Sequence, residues 1–161
     1  MAMSLELFEG IVRRTTGAFV HEEAEVKNDA LHPFELRNIH QSLYGKVKKL
    51  FDNGHCAEST FEAFKLIDKL VQRLCRVDES GFKLMMNAFN ESKPILTLAD
   101  LSTTSGRDEQ KGYSFLFSGA VMAIRNPRGH EINLSDDPDT CLDHLAFASL
   151  LLRRLEQSGF S

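Results

Sequence analysis

Residues 57–74 read AESTFEAFKLIDKLVQRL, and Ala57, Phe61, Phe64, Ile67, Leu70, Val71 and Leu74 recur at the spacing of one apolar helical face. Upstream, Pro33 suits the first turn of a helix, where its missing N–H is harmless. Leu36, Ile39, Leu43, Val47 and Leu50 then repeat at helical spacing until Asn53-Gly54 stops the run. Two helices joined by so short a turn are expected to pack as an antiparallel hairpin, and this hairpin is the expected centre of the core.

Downstream, Phe82, Met85, Met86 and Phe89 predict a short helix that ends before Lys93-Pro94, because the residue preceding a proline is pushed out of α geometry. Ile95 to Leu98 alternates too briefly for a strand. Asp100 to Lys111, rich in Ser, Thr, Gly and charge, reads as a loop. Tyr113 to Ile124 reads as a buried helix cut off near Pro127. The last helix has the clearest start: Asp137 as N-cap, Pro138 in the first turn and Asp139 beside it, with Arg153 and Arg154 matching the helix dipole at the far end. Leu142, Leu145, Ala146, Ser149 and Leu152 form its apolar stripe. The fold class expected is all-α, a compact helical bundle.

Residues 1–30 stand apart. Leu5, Phe8, Val12 and Phe19 predict an N-terminal helix, and His21 to Ala30 turns acidic and aperiodic, as a connection would. The main helical domain is then expected over 31–161. A chain of 161 residues, 42% hydrophobic and 26% charged, buries a core without staples and is far from the composition of disorder. Cys56, Cys75 and Cys141 are odd in number and widely spaced, which argues against a disulfide framework and a zinc site and for a reducing, cytoplasmic compartment. No segment approaches the ~20 apolar residues of a membrane span, and no signal peptide is expected. The net charge of −4 is not the footprint of a strongly basic nucleic-acid binder, so any RNA contact must be local.

The chemistry-bearing stretch is Arg125-Asn126-Pro127-Arg128-Gly129-His130. In a straight α-helix, residues five apart point ~140° away from each other. A break at Pro127 and Gly129 is expected to let Arg125 and His130 converge. An imidazole takes a proton from a hydroxyl near neutral pH, while a guanidinium stays charged and offers forked donors to phosphate oxygens. That pair suits phosphodiester transesterification, with His130 as general base, Arg125 stabilising charge on the phosphoryl oxygens and Asn126 orienting either group. From spacing alone the plainer account is stronger: Arg125 caps a helix end, Asn126-Pro127 starts a turn, and His130 is a loop residue. Arg14 and His21 show how readily such a spacing arises.

The motif occupies the place where HEPN ribonucleases carry theirs, with asparagine directly after the arginine. Over residues 31–155 the chain resembles the Ymh-type bacterial family, assigned to that superfamily. The resemblance rests on Leu31-His32-Pro33, Leu50-Phe51-Asp52-Asn53-Gly54-His55, Asp100-Leu101-Ser102-Thr103, Gly119-Ala120, Arg125-Asn126-Pro127 and the run from Leu145 to Leu155. It implies a dimerising helical bundle, with the Arg and His of two protomers facing one another across a shared cleft. It also implies a metal-independent endoribonuclease with no cofactor, used in toxin or phage-defence settings with an antitoxin or defence-system partner. Several antitoxin-regulated members have a tyrosine two residues after the histidine; here that place is Ile132, so regulation through that tyrosine is not expected. The alternative is a non-catalytic HEPN module that binds RNA, a nucleotide or a protein partner.

The remaining polar residues have plainer accounts. Asp136, Asp137 and Asp139 precede a helix, where capping explains them better than magnesium. His21, His32, His40, His55 and His144 lack metal-site spacing. Gly112 and Gly119 suggest close helix packing rather than a phosphate cradle. Arg128 is a candidate RNA-phosphate contact with an ordinary exposed loop arginine as its equal alternative, and Tyr113 is expected at the core edge.

Overall fold

The computed structural model describes residues 31–131 and 134–160. The N-terminal helix and acidic connection expected over 1–30, and Ile132, lie outside the described residues. In order, the elements are α1 (Pro33–Leu36), a 3-10 turn (Gln41–Leu43), α2 (Lys46–Asp52), α3 (Cys56–Cys75), α4 (Gly81–Ala88), α5 (Thr104–Ala120), a π-helical turn (Val121–Arg125), α6 (Asn126–His130) and α7 (Pro138–Gln157). No strand occurs among the described residues, which are all-α as expected. No described helix is long and apolar enough to cross a membrane.

Helix α3 is the hub. Its Ala63, Phe64, Ile67 and Val71 are buried, and α2, α4, α7, the π turn and α6 all pack against it. The pairing of α2 with α3 is pinned by Ser59 Oγ, which donates to the Val47 carbonyl at 2.9 Å. Phe89 and Phe117 stack with centroids 4.3 Å apart where α4 meets α5. Buried Asp68 on α3 accepts from the Gly81 N–H at 2.6 Å, satisfying a free donor at the start of α4.

The single helix expected from Pro33 to Leu50 is instead three pieces. Asn38 sits at φ 48, the Ile39 N–H reaches back to the Phe34 carbonyl at 2.8 Å, and the Asn38 N–H reaches Glu35 at 3.0 Å. This reciprocal pair is the Schellman stop, in which a left-handed residue lets two amides satisfy the last helical carbonyls. The same closure recurs at Gly54, at Arg76 and at Gly159, where the Phe160 and Gly159 amides bond Leu155 and Glu156.

Three further corrections concern the stretch before the motif. Residues 104–111 are helix, not loop: Thr103 Oγ1 caps α5 by accepting from the Gly106 N–H at 3.0 Å. Glycine is needed there, since a Cβ at 106 would lie 1.9 Å from the Asp100 carbonyl oxygen. The helix expected to be buried is amphipathic, with Phe115, Leu116 and Met122 exposed; no atom of the described residues lies within 4 Å of a Cβ built at Gly112 or Gly119, so close packing among the described residues does not explain them. Finally, Pro127 does not end the helix. The turn before it widens, with Asn126 N–H bonding the Val121 carbonyl, and helical geometry continues to His130. Proline inside a regular helix loses a hydrogen bond and strikes the carbonyl four residues back, and a π turn is one way to absorb both.

Candidate functional site at the end of the long helical run

Arg125 closes the π turn and lies half-buried against α3. Its guanidinium carbon stands 5.6 Å from the centroid of the Phe61 ring, and Nη1 donates to Asn126 Oδ1 at 3.1 Å. Nε is buried and has no hydrogen-bond partner among the described residues. A buried donor left unpaired is uncommon and raises the question of what acceptor completes it. Phe61 is shared: Lys65 Nζ stands 5.7 Å from the same ring, and a Cβ at Gly129 would meet Phe61 Cε2 at 2.8 Å. Glycine at 129 thus lets α6 close on α3 with the ring between them.

Arg128 turns the other way. Nε and Nη2 form a fork on Asp136 at 2.6 Å each, and Nη1 donates to the Ile124 carbonyl at 2.8 Å. The two side chains are 8% and 6% exposed, so this is a buried pair whose bidentate geometry offsets its desolvation. It ties α6 to the segment leading into α7. His144 Nδ1 lies 3.4 Å from Arg128 Nη2; burial first, and then the neighbouring guanidinium, hold the imidazole below its ordinary value, with Asp136 and Asp143 opposing. A neutral ring is the form able to accept from Arg128.

His130 is exposed and is the last residue of α6. Arg125 and Asn126 are therefore brought together, with Phe61 beneath the guanidinium, while Arg128 is committed to Asp136. The break expected between Arg125 and His130 is absent. Five residues along an uninterrupted helical stretch leave them directed ~140° apart within one chain.

The aspartates before α7 divide their work. Asp137 caps the helix through the Asp139 and Thr140 amides at 3.0 Å each, as expected, and Asp136 serves Arg128. Among the described residues no group of three or more His, Cys, Asp or Glu is gathered for a metal ion. Cys56, Cys75 and Cys141 are free and buried; burial pushes the Cys141 thiol up to about 11. His32 and His40 cap short turns through Nδ1, and Tyr113 lies at the core edge under the Arg154 guanidinium, as expected.

The supporting residues that sequence reading missed are Phe61, placed on the core stripe of α3, and Asp136, grouped with the caps. Each acts through a contact distant in sequence that no local motif marks.

Fold and site together define an all-α bundle whose longest helical run ends in a polar Arg-Asn-Pro-Arg-Gly-His segment packed on a central helix. The chain belongs to the Hypoth_Ymh family, described as a protein of unknown function, which it matches over residues 37–155. No curated protein and no solved structure matches it.

Proposed function

We propose that the protein is a metal-independent endoribonuclease of the HEPN type, acting as a homodimer in a toxin or phage-defence setting. The observation that carries this reading is Arg125: with no carboxylate partner among the described residues, its half-buried guanidinium is held on Phe61 and Asn126 and keeps its forked Nη donors for an incoming anion. A phosphoryl oxygen is an acceptor of the right charge and geometry for it. His130, exposed at the end of the same run, is the base.

In the proposed reaction His130 takes the proton of the RNA 2′-hydroxyl, and the 2′-oxygen bonds to the adjacent phosphorus. The bond from phosphorus to the 5′-oxygen breaks, that oxygen takes a proton from water and leaves as a 5′-hydroxyl, and His130 gives up its proton to the hydroxide so formed. Arg125 stabilises the negative charge on the phosphoryl oxygens, Asn126 holds the guanidinium in place, and the product is a 2′,3′-cyclic phosphate. Because Arg125 and His130 diverge within one chain, the reading places the Arg of one protomer opposite the His of the other. The exposed Phe115, Leu116 and Met122 on α5 and the π turn supply an apolar face for that pairing.

The test is end-labelled RNA incubated in excess EDTA with wild type and with His130→Ala. Wild type is expected to cut and leave cyclic-phosphate ends, with the variant about 10²-fold slower or worse. Equal cutting by both would remove His130 as the base.

A second reading is a non-catalytic module that binds RNA, a nucleotide or a protein partner. The engagement of Arg128 by Asp136, which leaves Arg125 without a second cation from the same segment, favours it. RNA retained by the wild-type protein but left at full length would select this reading.

A further inference from the structure

A cavity of about 510 Å³ opens between α3, α7 and the 3-10 turn, and none of its lining residues belongs to the Arg125–His130 segment. The volume falls within the range of about 300–1,000 Å³ typical of small-molecule sites. Leu66 and Leu70 from α3, Leu152 from α7 and Phe160 give it an apolar floor. Phe160 is brought there by the Schellman closure at Gly159, which folds the chain back over the end of α7.

The rim is polarised. Lys69 and Arg73 stand one turn apart on α3, interleaved with Leu66 and Leu70 on the same face. Lys46, Lys48, Lys65, Lys83 and Lys111 each reach a carboxylate, whereas Lys49 and Lys93, away from the cavity, and Lys69, on its rim, do not among the described residues. Among the described residues, Lys69 has only the neutral Gln72 Oε1 at 3.0 Å, and Arg73 makes no side-chain hydrogen bond or ion pair. Two like charges left side by side repel, and an anion between them relieves that repulsion. On the opposite rim His40 Nδ1 accepts from the Ser42 N–H, so its Nε2–H donates to Glu156 Oε1 at 2.9 Å. That carboxylate disfavours a second negative charge on the α7 side.

We propose that this cavity binds a small amphipathic anion, with its apolar body on Leu66, Leu70, Leu152 and Phe160 and its carboxylate or phosphate head on Lys69 and Arg73. The site is separate from the proposed ribonuclease centre, and its existence does not depend on RNA cleavage. Its occupant is a free small molecule, because the volume is that of a small-molecule site and the cationic edge, Lys69 and Arg73, is confined to one turn of α3.

The test is calorimetric titration of the full chain with decanoate, decanol and decyltrimethylammonium, each kept below its micelle concentration. These probes share a tail and differ in the head. One decanoate per chain is expected, bound at least about tenfold more tightly than decanol, with the cationic probe weaker still. Arg73→Glu, a change at an exposed position, is expected to lower decanoate affinity at least tenfold while leaving decanol binding and the helical circular dichroism unchanged. Equal binding of all three heads, absence of decanoate binding, or unchanged decanoate affinity in Arg73→Glu would each overturn the proposal.

Discussion

Arg76 holds a backbone shape suited to glycine: at φ 55 it is the left-handed residue of the stop that ends α3. A side chain there costs about 1–2 kcal/mol relative to the right-handed region, whereas glycine adopts it freely. Arg76→Gly is therefore expected to stabilise the fold by about 1 kcal/mol after the entropy lost by glycine, read as a higher urea midpoint at unchanged slope. His144 makes a pH-dependent contribution. Its ionisation is depressed in the folded chain by burial and by Arg128, so the unfolded chain binds the proton more readily. Stability from this group is complete above the unfolded value of 6.5 and is lost as pH falls from there through the folded value. The difference in unfolding free energy between wild type and His144→Asn is expected to shrink on going from pH about 7.5 to about 5.5. A difference that stays constant would show that the folded chain does not depress the ionisation of His144.

At the scale of elements, α5 is locked to the preceding loop by one side chain. Gln110 is fully buried; its Oε1 accepts from the Leu98 N–H at 2.7 Å, and its Nε2 donates to the Phe89 and Leu96 carbonyls at 3.2 and 3.1 Å. Gln110→Leu fills a similar volume but strips three buried backbone groups of a partner, and should cost about 3 kcal/mol or more by denaturant unfolding. No pattern in the sequence announces this residue, because it falls in a stretch whose Ser, Thr and Gly content reads as loop. By contrast α3 and α7 were legible, one from an apolar stripe carried over several turns, the other from Asp137-Pro138 at its start. The break at Asn38 was hidden because apolar spacing runs straight across it and asparagine tolerates the left-handed region without advertising it. Pro127 misled in the opposite direction, since a π turn absorbs the proline that would otherwise stop the helix. Within the site, the Arg125–Asn126 bond follows from adjacency and was open to reading, whereas Phe61 beneath Arg125 and Asp136 beside Arg128 depend on how distant segments pack.

For the whole molecule the open question is whether one chain is enough. Phe115, Leu116 and Met122 are 57%, 42% and 53% exposed on one long helical run, and Gly112 and Gly119 leave room beside them for another backbone to approach. If a second copy covers this face, Phe115→Lys with Met122→Lys is expected to turn a dimer into a folded monomer in sedimentation velocity, with circular dichroism unchanged. The sharper prediction concerns where Arg125 and His130 act. On the proposed function, dimers of Arg125→Ala and of His130→Ala are each expected to be inactive on RNA. When the two are mixed and allowed to exchange subunits, half of the dimers formed carry one variant of each kind, if exchange is complete. In such a dimer the intact Arg125 of one protomer and the intact His130 of the other rebuild one site, but only if the two residues work across the interface. Cleavage regained on mixing therefore requires a composite site. Persistent inactivity after exchange, verified by native mass spectrometry, would mean that both groups must come from the same chain, against the divergence that an unbroken α6 imposes.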